Sequence, residues 1–76
     1  MNDLLNQIDI FFALPGDFVP GDIVILSSKY CFVTIDDMQS NKVTLTLHYM
    51  STIKTETYKS VDDFFSPIYF TVIRKT

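Results

Sequence analysis

Two alternating stretches within residues 42–59 constrain the fold of this chain more than any other feature. From Val43 to Tyr49, every second side chain is apolar and the residues between them are polar. Residues 53–58 alternate in a similar way. A period of two is that of a β-strand with one buried face, so this region predicts an antiparallel hairpin.

The length of the hairpin loop decides which side chains share a face, because a shift of one residue turns a whole strand over. A three-residue loop, 50–52, would place Leu47 opposite Thr55. A two-residue turn at 51 and 52 would instead place Leu47 opposite Glu56. The second arrangement mixes apolar and charged side chains on one face. We therefore expect the three-residue loop, with the odd-numbered side chains of 43–57 turned inward.

The first 14 residues can be interpreted in two ways. Apolar side chains between Leu4 and Phe12 recur at intervals of three and four, which predicts an amphipathic helix of about three turns. Ile8, Ile10 and Phe12 also alternate, which is typical of an extended segment. We expect the helix, lying as a lid over one end of the domain, and keep the extended segment as the alternative.

The rest of the chain is divided by turn residues. Two Pro-Gly-Asp sequences, at 15–17 and 20–22, predict tight turns, because proline fixes one backbone angle and glycine permits a positive φ. Ser60, with Asp63 three residues later, predicts a single capped helical turn. Three further strands are expected at 23–26, 30–35 and 68–73.

These elements predict a mainly β protein: a small five-stranded antiparallel barrel of the SH3-like type, with an N-terminal helix and one helical turn before the last strand. Seventy-six residues suit a single domain, which we divide into a helical segment, 1–14, and a barrel, 18–74. The sequence GDIVILSS at 21–28, followed by FVT at 32–34, resembles the opening of the YodC-like small domains. The resemblance implies a compact barrel and no catalytic residues.

The inventory of reactive side chains argues against an enzyme, a cofactor or a metal site. Cys31 and His48 are the only cysteine and histidine, whereas zinc sites normally gather four such ligands. By strand parity Cys31 shares the apolar face with Val33, and His48 lies on the polar face of its own strand. We expect the two side chains to point apart, with Cys31 buried and His48 in solvent.

Charge and hydrophobicity indicate the kind of partner. Nine acidic and six basic residues give a net charge of −3, which argues against nucleic acid, since proteins that neutralise phosphates are normally basic. The chain is 47% hydrophobic, so a small barrel should leave apolar surface for a partner protein or a homodimer. With no readable signal peptide or membrane span, we expect a cytoplasmic protein without membrane contact.

Tyrosines and exposed acids supply the candidate contact residues, because tyrosine offers a large contact area with a polar tip. The leading hypothesis is a non-catalytic protein-interaction module, such as a small regulator or inhibitor of the kind common among short phage proteins. A nucleic-acid or nucleoprotein accessory barrel is the alternative, and a small thiol enzyme using Cys31 comes third. The predicted contact residues are Tyr30, Asp36, Asp37, Tyr58, Asp62 and Tyr69.

Overall fold

One antiparallel sheet organises the chain. The computed structural model describes residues 7–26 and 30–75, with only the backbone of residue 30. The sheet has six strands in the order β1-β6-β2-β3-β4-β5, and it is not closed. Its strands are β1 (Ile8–Ala13), β2 (Ile23–Ile25), β3 (Tyr30–Gln39), β4 (Lys42–Tyr49), β5 (Ile53–Tyr58) and β6 (Phe70–Lys75). Two 3₁₀ turns, Pro15–Asp17 and Val61–Asp63, complete the regular structure of the described residues.

The N-terminal segment departs from the expected helix. Residues 8–13 form β1, which pairs antiparallel with β6 and sets Ile8 opposite Lys75 and Phe12 opposite Thr71. The alternation of Ile8, Ile10 and Phe12 therefore predicts this segment better than the helical spacing does. Pairing with β6 supplies hydrogen-bond partners for the backbone and places Ala13 in the core. Residues 1–6 of the predicted helix lie outside the described residues. The chain thus adds a sixth strand to the five expected, and the sheet stays open instead of closing into a barrel.

The helical turn before the last strand is confirmed as the 3₁₀ turn Val61–Asp63. The predicted side-chain cap is wrong, since the Ser60 side chain makes no capping hydrogen bond. The backbone closes the turn instead, with the Asp63 N–H donating to the Ser60 carbonyl at 3.2 Å. None of the helical segments among the described residues is long and apolar enough to cross a membrane.

The core lies on one face of the sheet, here called the inner face. Phe18 and Phe65 cover it from outside the strands, and their rings meet edge to face with centroids 5.1 Å apart. Val61 of the second 3₁₀ turn is buried beside them. The strands contribute Ala13, Val24, Val33, Ile35, Val43, Leu45, Leu47 and Val72. The expected inward facing of Val43, Leu45 and Leu47 is confirmed.

The pairing of β4 with β5 differs from the predicted register. The Tyr49 N–H donates to the Thr52 carbonyl at 2.8 Å, so the turn contains two residues, 50 and 51. Leu47 consequently lies opposite Lys54, and Leu45 lies opposite Glu56. The even-numbered residues of β5 therefore share the inner face, contrary to prediction. Because β5 is an edge strand, its charged side chains reach water from the inner face. Placing Lys54 and Glu56 beside apolar side chains therefore costs little free energy.

Glu56 is accommodated by two partners on its own strand. Lys54 Nζ lies 2.9 Å from Glu56 Oε2, and the Tyr58 hydroxyl donates to Oε1. The hydrogen bond from Tyr58, followed by that from Lys54, lowers the pKa of Glu56 below its ordinary value. Folding therefore favours the ionised carboxylate.

The pH dependence of this contribution can be measured. Because the pKa of Glu56 is lower in the folded chain, its stabilising effect should be complete above the ordinary pKa of 4.5 and should disappear as pH falls through the lowered value. Carboxyl-carbon NMR should place the Glu56 titration below 4.5, and Tyr58→Phe should move it upward. An unchanged titration in Tyr58→Phe would contradict the assigned cause.

An ion pair between the buried Asp22 and the partly exposed Arg74 joins β6 to the turn before β2. Gly21 has a positive φ of 95°, and the Asp22 N–H donates to the Val19 carbonyl at 3.1 Å, as the Pro-Gly-Asp sequence predicts for a tight turn. The Asp22 carboxylate accepts from Arg74 Nε at 2.7 Å, from Arg74 Nη2 at 2.8 Å and from the Val19 N–H at 2.9 Å. The hydrogen bond with Asp22 raises the pKa of Arg74, whose guanidinium also lies over the Phe11 ring. Because both carboxylate oxygens of Asp22 accept from Arg74, the contact holds the turn before β2 in a defined orientation against β6.

Candidate functional site

A row of side chains crosses the face of the sheet opposite the core, here called the outer face. Directly opposed residues of neighbouring strands form this row, so each strand contributes one member. In spatial order the outer row is Phe12, Thr71, Ile25, Phe32, His48 and Ile53. Neighbouring strands lie about 4.8 Å apart, so the row is about 24 Å long.

Several members of this row are large and exposed to water. Phe12 is 74% exposed and Ile53 is 68% exposed, and Ile25 is also exposed. Loop residues at the same end of the sheet add Ile68, Tyr69 and Met50, the last of which is 85% exposed. We call this surface the apolar end, and it consists of Phe12, Ile25, Phe32, Met50, Ile53, Ile68 and Tyr69. Groups of exposed apolar side chains on small proteins are often contact sites.

Two clefts lie on either side of the opposed pair Ile25 and Phe32. The first has a volume of about 400 Å³ and is lined by Leu26, Ile68 and Tyr69 together with Ile25 and neighbouring residues. The second has a volume of about 530 Å³. Its lining residues are Cys31, Phe32, His48, Tyr49, Met50, Ser51, Thr52 and Ile53. The apolar end therefore offers two depressions joined by an apolar ridge.

The aromatic pair of the second cleft is held in a defined orientation. The rings of Phe32 and His48 stack with centroids 4.1 Å apart and an interplanar angle of 17°. His48 Nε2 lies 3.4 Å from the Thr34 hydroxyl, which donates to Asp36 Oδ1 at 3.2 Å. The tautomer of the imidazole decides which of the two atoms donates in the contact between Thr34 and His48. The His48 ring is thus held by stacking on Phe32 and by the contact of its Nε2 with Thr34.

The predicted contact residues do not form one surface. Tyr69 lies in the apolar end and lines its first cleft. Asp36 and Asp37 lie in the second half of β3, where Asp36 accepts from the Thr34 and Thr46 hydroxyls. The other two described residues lie elsewhere: Asp62 is exposed on the second 3₁₀ turn, and Tyr58 is half-buried with its ring 5.5 Å from Phe64. The side chain of Tyr30 lies outside the described part of the chain.

Apolar residues other than tyrosine were missed as contact candidates. Ile25 belongs to a strand whose three residues are all apolar, and Phe12 follows an equally apolar Phe11. A strand with apolar residues on both faces leaves one set exposed when only one face is covered by a core. This signal could have identified Ile25 and Phe12, although not their position in the same row.

The expectation of a buried thiol is wrong, because Cys31 is exposed, and Cys31 lines the same cleft as His48. The pairing of β3 with β4 shifts between residues 30 and 32, which makes Cys31 the extra residue of a β-bulge. The bulge brings Cys31 to the surface, so rapid alkylation of its thiol would not by itself indicate catalysis. Within 7–26 and 30–75, no three His, Cys, Asp or Glu side chains form a group that could hold a metal ion.

Comparisons with protein-family models, with curated proteins and with solved structures gave no match. What the apolar end can bind therefore follows from its own chemistry. Its ridge and clefts present large aliphatic and aromatic side chains, and none of the six described residues of the outer row carries a permanent charge. Such a surface is suited to an apolar partner surface.

Proposed function

We propose that this protein is a non-catalytic protein-interaction module whose apolar end contacts an apolar surface of another protein. The observation that supports this function is the exposure of large apolar side chains along the outer row and its adjoining loops. Covering such side chains removes apolar area from water, which is the main favourable term in protein association. The proposal keeps Tyr69 among the predicted contact residues and adds Phe12, Ile25 and Met50.

The dimensions of the surface support a partner of protein size. The row is about 24 Å long, and a standard interface covers about 800 Å² on each partner. The two clefts, of about 400 and 530 Å³, are open depressions that can receive side chains of a partner, and a few such side chains commonly carry most of the binding energy. Occupying a partner's surface in this way is how a small regulator or inhibitor would act.

We also propose that β2 to β6 form an SH3-like unit to which β1 is added. The order β6-β2-β3-β4-β5 and the 3₁₀ turn before β6 support this interpretation. The resemblance of 21–28 and 32–34 to the YodC-like domains is part of the same proposal. Under this interpretation β1 is an extra edge strand, which places Phe12 at one end of the outer row.

Capture from a native lysate tests the function. The double variant Met50→Ser, Tyr69→Ser changes one exposed residue at each cleft, so the fold should remain and captured protein should fall by at least about tenfold. The matched control is Asp37→Ser, Asp62→Ser, which alters two exposed acids of the predicted contact set. Quantitative mass spectrometry should find its capture unchanged.

Other outcomes of the same capture would contradict the proposal. Equal capture by wild type and the Met50, Tyr69 variant would exclude the apolar end as the contact. Recovery of nucleic acid, lost as salt is raised, would instead support the accessory-barrel hypothesis. That hypothesis needs cations beside the aromatic rings, whereas Lys42, Lys59 and Lys75 lie at or beyond strand ends away from the outer row.

A further inference from the structure

The two edges of the sheet are protected to different degrees. The edge strand β5 carries Lys54 and Glu56, and charged side chains on an edge discourage pairing with another chain. The other edge strand, β1, has the sequence IDIFFA, with one charged residue and neither lysine nor proline. Its register with β6 runs without interruption, so no bulge twists this edge away. The edge of β1 is therefore open to pairing.

The outer-face side chains of β1 are also unusually exposed. Ile8 and Ile10 precede Phe12 on this face, and Ile10 is 65% exposed. Within 7–26 and 30–75 no strand pairs with the free edge of β1. Its backbone N–H and C=O groups on that side are those that a further antiparallel strand would use.

We propose that β1 pairs antiparallel with β1 of a second copy of this chain, so that the two sheets become one. A two-fold axis perpendicular to the sheet requires opposed residues to share a face. With the axis at Ile10, each Ile10 faces the other, and Ile8 faces Phe12 of the second copy. On the inner face Asp9 faces Phe11, so the two aspartates are not opposed.

The self-complementary sequence of β1 favours a second copy over an unrelated strand. In this register every outer-face pair is apolar: Ile8 with Phe12, Ile10 with Ile10 and Phe12 with Ile8. Cross-strand pairs of aromatic and β-branched residues stabilise antiparallel sheets. One edge strand covers less than the roughly 800 Å² per partner of a standard interface, so we expect a reversible dimer that dissociates on dilution.

Sedimentation equilibrium over a dilution series tests the dimer. Wild type should pass from one chain to two as its concentration rises. Ile10→Lys should weaken dimerisation by at least about tenfold, because two like charges would face each other at the axis. Ile53→Lys is the matched control, since Ile53 is 68% exposed on the opposite edge strand, and its dimerisation should equal that of wild type.

A mass of one chain at every concentration would overturn the inference, and so would an unaltered dimer in Ile10→Lys. Oxidation in a Cys31→Ser background gives a second readout. Ile10→Cys should form an intermolecular disulfide faster than Ile53→Cys, and equal rates would exclude the proposed axis. Because Ile10→Lys retains Met50 and Tyr69, its lysate capture stays informative, which separates failure of the dimer from failure of the proposed function.

Discussion

Replacing Leu47 by alanine should lower the free energy of unfolding by about 2 to 5 kcal/mol. Leu47 is 1% exposed, and it lies opposite Val33 in the interior of the sheet, where a smaller side chain leaves a cavity that neighbouring strands cannot fill. A domain of this size has a total stability of about 5 to 15 kcal/mol, and a short chain lies at the lower end. We therefore expect Leu47→Ala to lose a large part of its stability and to unfold at a much lower urea concentration than wild type.

Urea denaturation followed by circular dichroism measures this effect. Ile53→Ala is the matched control, because it also shortens an aliphatic side chain on a strand, but from an exposed position on the outer face. Its free energy of unfolding should differ from that of wild type by no more than about 0.5 kcal/mol. Losses of equal size in the two variants would mean that the inner and outer faces have been assigned wrongly.

Replacing Asp22 by alanine should have the second large effect, a loss of about 1.5 to 3 kcal/mol in the free energy of unfolding. Asp22 is 0% exposed, and its carboxylate accepts hydrogen bonds from Arg74 and from the Val19 N–H. Removing the carboxylate leaves the Val19 N–H without its acceptor. The Arg74 guanidinium loses its two bonds to Asp22 but keeps its hydrogen bond to the Asp17 carbonyl and its contact with water.

A double-mutant cycle in urea identifies the source of this loss. Asp22→Ala and Arg74→Met each remove one side of the pair, so the double variant should lose less stability than the two single variants added together. Lys75→Met is the control for removing a nearby exposed charge, and it should change stability little. Additive losses, or a loss in Asp22→Ala that disappears in high salt, would contradict the coupling between Asp22 and Arg74.

The sequence predicted those parts of the fold that depend on a single strand or turn. Alternation assigned the inward face of β4 correctly, because the face of a strand follows from its own pattern. It could not assign the register of β5, since register depends on the turn, and residues 50 and 51 carry no glycine that would indicate a two-residue turn. An error of one position reversed the predicted face of every residue in that strand.

Long-range pairing explains the other differences. The segment Ile8–Ala13 fits both a helix and a strand locally, and its partner β6 decides between them. The apolar surplus of the composition predicted a contact surface, but its location depends on β6 lying between β1 and β2. Tyr69 was therefore predicted from its residue type, whereas Phe12 and Ile25 lie on one surface only through the strand order.

The central position of β6 also has a consequence for biosynthesis. The residues paired between β1 and β6 are far apart in the sequence: 57 positions separate Ala13 from Phe70, and 67 positions separate Ile8 from Lys75. β1 is thus the first described strand to leave the ribosome, and it cannot form its hydrogen bonds with β6 until that strand has been synthesised. Contacts so distant along the chain slow folding, and meanwhile the apolar IDIFFA segment is available to chaperones or to neighbouring nascent chains.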